Sequence, residues 1–298
     1  MLIYKIASNS PNSDSQIHVD GIEFKFVQSS RFSFITSIRL ATECKHRLPD
    51  AVVVYREKDA IGALSARNIN HSTATYPIIF YVESGAKTPA SLNRELATGI
   101  DAIVFETENT KKTWSQTRNL ELIRLQRVIE RPAEPIPIER TGDISHACLG
   151  FLGNLENTQE LQKVFRVMAK MPESECPEII VPGTAKARLI TPAIRLAKAN
   201  RLPVKWLGDD FELEEILAKI DGFIASGTAL TTTEKRLLAN SVPLVTADNL
   251  QEWMDMDLRQ KMREKSESLY RKKYTPEKYR QDILNLIETL KGGCLKTK

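Results

Sequence analysis

Short apolar runs recur along the first half of the chain, separated by segments whose apolar residues keep a helical spacing. LIYKIA (Leu2 to Ala7) reads as a strand, followed by the polar loop SNSPNSDSQ and the alternating run GIEFKFV. FSFITSIRLATECKHRL is helical by spacing, with Pro49 as its stop signal. DAVVVY (Asp50 to Tyr55) is a continuous β-branched run, the pattern of a strand buried on both faces. The helix DAIGALSARNI, the strand YPIIFYV (Tyr76 to Val82), the helix SLNRELATG and the strand IDAIVFE (Ile100 to Glu106) continue the alternation. Buried strands separated by helices predict βαβ units and a parallel sheet.

The pattern breaks at ERPAEPIPIERTGDIS (Glu130 to Ser145), which holds three prolines and no helical period, and reads as a linker. It then restarts with CLGFLGNL, the helix TQELQKVFRVMAKM, the strand EIIVPG, the helix TPAIRLAKAN and the strand PVKWLG. In ELEEILAKI, Leu213, Ile216, Leu217 and Ile220 share one helix face. GFIAS is a strand, and SGTALTTTEKRLLANSVPLVTAD gives a small-residue loop, a helix and a buried strand. The last helix follows YTPEKYRQDILNLIETLK, with Thr275 as its cap, Pro276 in its first turn and an apolar stripe of Tyr279, Ile283, Leu286, Ile287 and Leu290.

The predicted architecture is α/β: two doubly wound Rossmann-like domains, residues 1–142 and 143–274, followed by a helix and tail over 275–298. In such sheets ligands bind beyond the carboxyl ends of the strands, so the loops there, in a cleft between the domains, are the expected site. A chain of 298 residues accommodates two domains. No apolar run approaches a membrane span, and MLIYKIASNSPNSDS reads as a first strand rather than a secretory signal. The four cysteines show no paired or metal-ligand spacing, and reduced thiols in a cytoplasmic protein are expected. His18, His46, His71 and His146 are scattered, so no metal is expected. A net charge of +4 is too small and dispersed to imply nucleic-acid binding.

GFLGNL (Gly150 to Leu155), EIIVPG, VKWLGDDFELEEILAKIDGFIASG and SVPLVTAD, in that order, resemble the donor domain of GT-B-fold glycosyltransferases, nearest to the retaining family four group. QEWMDMDLRQKMREKSESLYRKKYTPEKYRQDILNLIETL resembles that family's ending, which implies a last helix crossing back to the amino-terminal domain. DAVVVY, IIFYVESG and IDAIVFETENTKKTW resemble its acceptor domain more loosely. Against the family pattern the donor site is degenerate. Asn154 stands after Gly153 where an arginine is usual, and LENTQEL lacks the following lysine. Two expected glutamates fall on Thr228 and Arg236, and Arg236 has only donors to offer a ribose hydroxyl. The histidine usual before a glycine is replaced by Glu83 or Ser84, just before Gly85, and SNSPNSDS stands where a glycine-rich loop is usual.

The resemblance makes Gly153, Asn154, Gly183, Lys186, Gly227, Thr228, Thr231, Thr232 and Arg236 the donor-binding candidates. Ser10, His18 and Gly85 are acceptor-binding candidates, and Glu83 is the candidate catalytic or hydroxyl-orienting carboxylate. The loop SGTALTTT places backbone N–H groups at a helix start, which suits a phosphate. Thr231 and Glu234 have the spacing of a capping box, and Arg236 is read either as a phosphate partner or as a solvated or ion-paired helix residue. Trp206 and Trp253 are read as packing residues.

The favoured function is a hexosyltransferase-type glycosyltransferase passing a sugar from a nucleotide-sugar to a hydroxyl of a glycan, lipid or protein, with no cofactor. The alternative is a catalytically inactive relative that binds or scaffolds a partner transferase. A two-domain sugar-phosphate epimerase is a third, less supported reading. The charge run RQKMREKSESLYRKK is read as a solvated helix face, with a weak peripheral contact to the inner face of a membrane left open.

Overall fold

The computed structural model describes residues 1–7, 20–69, 76–136, 147–152, 155, 157–183, 187–208, 212–227 and 230–294. The chain divides into two compact units, Met1–Pro132 with Pro276–Lys298, and Ala133–Thr275. The division falls inside the proline-rich segment read as a linker.

Unit 1 is a six-stranded parallel sheet. Its strands are β1 (Leu2–Ala7), β2 (Glu23–Gln28), β3 (Ala51–Val54), β4 (Ile78–Val82), β5 (Ala102–Phe105) and β6 (Leu125–Val128), in the order β2-β1-β3-β4-β5-β6. The central strands are buried along their whole length, as their unbroken apolar runs predict. Strand β6 was not anticipated: LQRV is an edge strand and only partly buried, so it carries no apolar run. The helices α1 (Ser33–His46), α2 (Glu57–Ile69), α3 (Arg94–Gly99) and α4 (Glu108–Trp114) connect the strands. On one face of the sheet Tyr4, Ile6, Val52, Val54, Phe80 and Phe105 pack with Leu40, Ala63, Leu96 and Trp114 from these helices.

The alternate residues Ile3, Val53, Ile79, Tyr81 and Val104 point to the other face. There they meet Tyr279, Ile283, Leu286, Ile287 and Leu290, the stripe predicted for the last helix.

Unit 2 is a five-stranded parallel sheet of β7 (Cys148–Gly150), β8 (Glu178–Pro182), β9 (Val204–Gly208), β10 (Gly222–Ile224) and β11 (Leu244–Val245), in the order β11-β10-β7-β8-β9. Its helices are α5 (Gln159–Met168), α6 (Ala187–Ala199), α7 (Leu213–Lys219), α8 (Thr232–Ala239), α9 (Leu250–Met254) and α10 (Met256–Lys273), and the last helix of the chain, α11 (Pro276–Cys294), returns to unit 1. Residues of α5, α6 and α9, with Met262 of α10, pack on one face of the unit 2 sheet, and residues of α7 and α8, with Tyr270 of α10, on the other. Trp253 is fully buried in the first of these cores, with Trp206 packed beside it. The charge run does form α10, yet Arg259, Met262, Ser266 and Tyr270 on it are buried. Helix α6 corrects the sequence reading. It starts at Ala187 rather than near Thr191 and runs through Pro192. The ring removes one donor, and the carbonyl it would have served belongs to exposed Arg188, which water can reach.

Truncating the α11 stripe should unmask the second face of the unit 1 sheet. Leu286→Ala is expected to lower stability by about 2–5 kcal/mol, read by urea denaturation. An unchanged midpoint would mean that α11 is dispensable.

Candidate functional site

Strand order locates the candidate donor site. From β7 the chain runs outward through β8 and β9, and from β10 it runs the other way to β11. The neighbours β7 and β10 therefore flank a topological switch point, with Leu149 opposite Gly222 and Gly150 opposite Phe223. Loops leaving such a pair diverge and open a crevice at the carboxyl ends. The loop after β10 and the loop after β7 do approach: a Cβ on Gly227 would lie 3.5 Å from Asn157 Nδ2. On the other side Gly183, at φ 89°, closes the end of β8, and a Cβ there would lie 3.4 Å from Leu155. Its N–H donates to the Gly208 carbonyl. The structure thus brings Gly183 beside Leu155 and Gly227 beside Asn157. Gly153, Asn154, Lys186 and Thr228 lie outside the described residues, as do Ser10 and His18.

The start of α8 is capped by the chain itself. The Thr231 hydroxyl accepts from Glu234 N–H at 3.2 Å, and Glu234 Oε2 accepts from Thr231 N–H at 2.7 Å, the reciprocal pair of a capping box. The second carboxylate oxygen accepts from Ser226 N–H at 2.8 Å, tying the loop after β10 to the helix. Glu234 is completely buried. Of the first-turn N–H groups the cap engages that of Glu234, and the Glu234 carboxylate, held by the Ser226 and Thr231 N–H groups, sits in the favourable field of the helix end.

Thr232 is exposed, and Arg236 follows one turn later on the same face. Helical side chains lean toward the amino terminus, which directs Arg236 back along α8 toward Thr232. Its Nε is buried without a hydrogen-bond partner, and among the described residues no carboxylate pairs with the guanidinium.

In unit 1 the loop after β4 carries Glu83, Ser84 and Gly85. Gly85 takes φ 80° with open space at its Cβ position. Arg131, in the segment read as linker, organises this loop. Its guanidinium donates to Glu83 Oε1, lies 3.7 Å from Glu106 Oε1 and stacks over the Tyr81 ring at 5.2 Å. Glu106 Oε2 in turn accepts from Ser84 N–H at 2.7 Å. Tyr55 and Tyr81 pack at 5.7 Å, and burial pushes both phenols above their ordinary range, while Tyr279 is pushed up to about 12. Beside Tyr55, at the carboxyl ends of β3 and β4, a cavity of about 280 Å³ is lined by Phe80, Val82 and Trp114, with Arg56, Glu57 and Lys87 as its charged groups. Lys5 is buried on the α11 side of the sheet with its ammonium 3.6 Å from the centre of the Phe24 ring. Burial, reinforced by the charge of Arg131, draws Lys5 down to about 8. Arg131 was missed because its partners come from distant strands, and only a lone arginine beside proline was visible in the sequence. Among the described residues no cluster of His, Cys, Asp or Glu is arranged to hold a metal ion, and no helix is long and apolar enough to cross a membrane.

No family model and no curated protein sequence matches the chain. Solved structures do. HepE (Alr3699) of Anabaena, solved in complex with UDP, matches with a TM-score of 0.64 at 12% identity over 97% of this chain and 99% of that one. A glycosyltransferase of Rickettsia africae ESF-5 gives 0.66 at 11% identity, over 100% and 99%. The apo form of the lipopolysaccharide outer core galactosyltransferase WaaB gives 0.57 at 10% identity, over 97% and 99%. The fold is GT-B. At these identities the likeness is one of fold, and it spans both units.

Two outcomes follow from the buried charges. Glu234→Ala orphans the Ser226 and Thr231 N–H groups and is expected to cost about 2–5 kcal/mol, read as a lowered urea midpoint. Lys5 has a depressed folded pKa, so between about 8 and its ordinary value of 10.5 the unfolded chain holds a proton that the folded one lacks. Stability due to Lys5 should therefore rise with pH across that window. Lys5→Met should flatten the rise and add about 3 kcal/mol at pH 7, both read from denaturation at pH 7 to 10.

Proposed function

We propose that this protein is a glycosyltransferase that takes a sugar from a nucleotide-sugar to a hydroxyl acceptor. The observation that carries the reading is the β7/β10 switch point, where Gly227 approaches Asn157 and the following helix α8 carries Arg236, whose Nε is buried without a hydrogen-bond partner. A guanidinium suits the paired oxygens of a diphosphate. The complex of HepE with UDP supports the same assignment by likeness of fold.

In this reading unit 2 holds the donor. Arg236 and Thr232 take the diphosphate in place of the usual arginine and lysine, and the glycines Gly183 and Gly227 let backbone approach it. The bond between the anomeric carbon and the diphosphate oxygen breaks, and the nucleoside diphosphate leaves with the electron pair. The acceptor oxygen forms the new bond to that carbon, and its proton passes to an oxygen of the departing diphosphate. Unit 1 holds the acceptor, with Glu83, fixed by Arg131, orienting the hydroxyl. The order of motifs favours the retaining family four group within GT-B. No metal is assigned a part in the step. A glycan, lipid or protein acceptor suits the reading, and so does action in the cytoplasm.

The test is a thermal-shift titration with UDP, GDP, ADP and CMP and their sugar conjugates. One nucleotide class is expected to stabilise the protein by about 2.7 kcal/mol at a hundred times its dissociation constant. Arg236→Ala should weaken that ligand by about tenfold to a hundredfold, the loss of a charged hydrogen bond of about 1.5–3 kcal/mol, without lowering the melting temperature of the free protein. No shift with any nucleotide would overturn the transferase reading in favour of a non-catalytic binding partner.

A further inference from the structure

The edge of the unit 2 sheet opposite the donor loops holds a second cavity, of about 440 Å³. Ala147 precedes β7, Glu178 opens β8 and Pro203 precedes β9, and all three line it. Because the strands are parallel, this is their amino edge, whereas the loops at the β7/β10 switch point leave carboxyl ends. Met254, Met256 and Arg259 contribute the wall from α9 and α10. A cavity of this size is in the range that small molecules occupy.

Arg259 is the group here that the fold leaves incompletely used. It is 6% exposed, with its guanidinium 4.6 Å from the centre of the Trp253 ring. Nε donates to the Trp253 carbonyl at 2.8 Å and Nη2 to the Met254 carbonyl at 3.4 Å, which leaves Nη1 without a partner among the described residues. No carboxylate among them pairs with it either. Asp221, whose charge reaches Arg259, is taken by Arg263 at 3.3 Å. A buried guanidinium with only neutral partners keeps both an uncompensated charge and free donors. The start of α10 does not compete for an anion, since Asp255 already accepts from the Asp257 and Leu258 N–H groups. On the exposed side the cavity is lined by Glu175 and Glu178. Among the described residues neither carboxylate forms an ion pair, with Arg259 or with any other cation. Opposite charges that share one cavity without meeting complement a ligand that carries both.

We infer that this cavity binds a free α-amino acid with an apolar side chain, its carboxylate on Arg259 and its ammonium on Glu175 and Glu178. A guanidinium takes a carboxylate through paired donors, and an ammonium has three donors to share between two carboxylates. Each alternative leaves one part of the cavity unmatched. A polyanion such as a diphosphate meets two carboxylates at the entrance, so the cavity is not a second donor site. A simple cation leaves Arg259 without a counter-charge. The apolar side chain is called for by Pro177, Pro203, Met254 and Met256. The two thioethers adapt to side chains of different shape, which favours a class of amino acids over a single one. Amino acid and nucleotide-sugar would occupy opposite ends of the same strands and so bind without overlap. The inference does not depend on the proposed donor chemistry.

The experiment is isothermal titration calorimetry of the full chain with L-leucine and L-methionine, in the absence of nucleotide. Saturable binding of both is expected. Leucinamide, which lacks the carboxylate, and 4-methylpentanoate, which lacks the ammonium, should each bind about tenfold or more weakly than leucine. Glu175→Gln with Glu178→Gln, both exposed positions, should weaken leucine by about tenfold while leaving 4-methylpentanoate unchanged. Arg259→Met keeps an unbranched stem over Trp253 and should abolish binding. Circular dichroism checks its fold, and if that variant does not fold the analogues and the glutamine variant decide the outcome. The inference is overturned if neither amino acid binds at millimolar concentration, or if leucinamide binds as well as leucine. Equal binding of 4-methylpentanoate would also overturn it, since the cavity would then take any apolar carboxylate. Saturating UDP should leave leucine bound, and displacement would refute the location at the amino edge. A protein that binds leucine and no nucleotide would overturn the transferase reading and keep this one, so the two stand or fall separately.

Discussion

Unit 1 depends on a helix that arrives from the far end of the chain. Strands β3, β4, β5 and β6 advance across the sheet in one direction, and right-handed crossovers then deposit α2, α3 and α4 on one face. The opposite face presents Ile3, Val53, Ile79, Tyr81 and Val104, with Lys5 among them, and would otherwise be bare. Helix α11 supplies the missing layer. Unit 2 lies in the chain between β6 and α11, so the amino-terminal sheet is completed only after unit 2 has been synthesised. The two ends of unit 2 are pinned together: Ala133 N–H donates to the Tyr274 carbonyl at 3.0 Å, and Tyr270 donates to the Ala133 carbonyl at 2.8 Å. Once unit 2 folds, the long loop separating β6 from α11 is reduced to a short span, and most of its closure entropy has been met.

The same layering places the chemistry. Because both sheets are wholly parallel, every strand delivers its following loop to one edge, and functional groups collect there without any local sequence motif. In unit 1 this edge gathers Arg131, Glu83, Glu106 and the tyrosines into one hydrogen-bonded and stacked cluster. In unit 2 it brings Gly227 beside Asn157 at the switch point, and the following helix α8 carries Thr232 and Arg236. The two edges differ in character. Arg131 is saturated with partners and rigidifies its loop, whereas Arg236 has a buried Nε with none, a state that costs free energy unless something else meets it. A diphosphate is a ligand that would do so. Glu234 meanwhile places its own carboxylate in the field of the α8 start.

Strands buried on both faces announce themselves as unbroken apolar runs, and for that reason β3, β4, β5 and β8 were legible from the residues alone. The stripe on α11 was legible by its spacing, as was the Thr231–Glu234 capping box. Elements that lie at an edge or carry mixed residues were not: LQRV of β6 and ENTKKTW of α4 have no periodic signal, because partial burial imposes none. The early start of α6 was hidden by Pro192, which marks helix beginnings more often than interiors. For the site, the glycines were visible as loop positions and Arg236 as a departure from a family pattern, but Arg131 was not.

What the sequence by itself determined is the alternation of strands and helices and the existence of two sheets, since burial on a periodic scaffold constrains residue type at every second or fourth position. What only the tertiary structure decided is strand order, and with it which loops become neighbours. The β7/β10 adjacency and the pairing of Arg131 with Glu83 and Glu106 both arise between segments distant in the chain. Such contacts leave no local periodicity, because they are selected by packing geometry after the elements have formed.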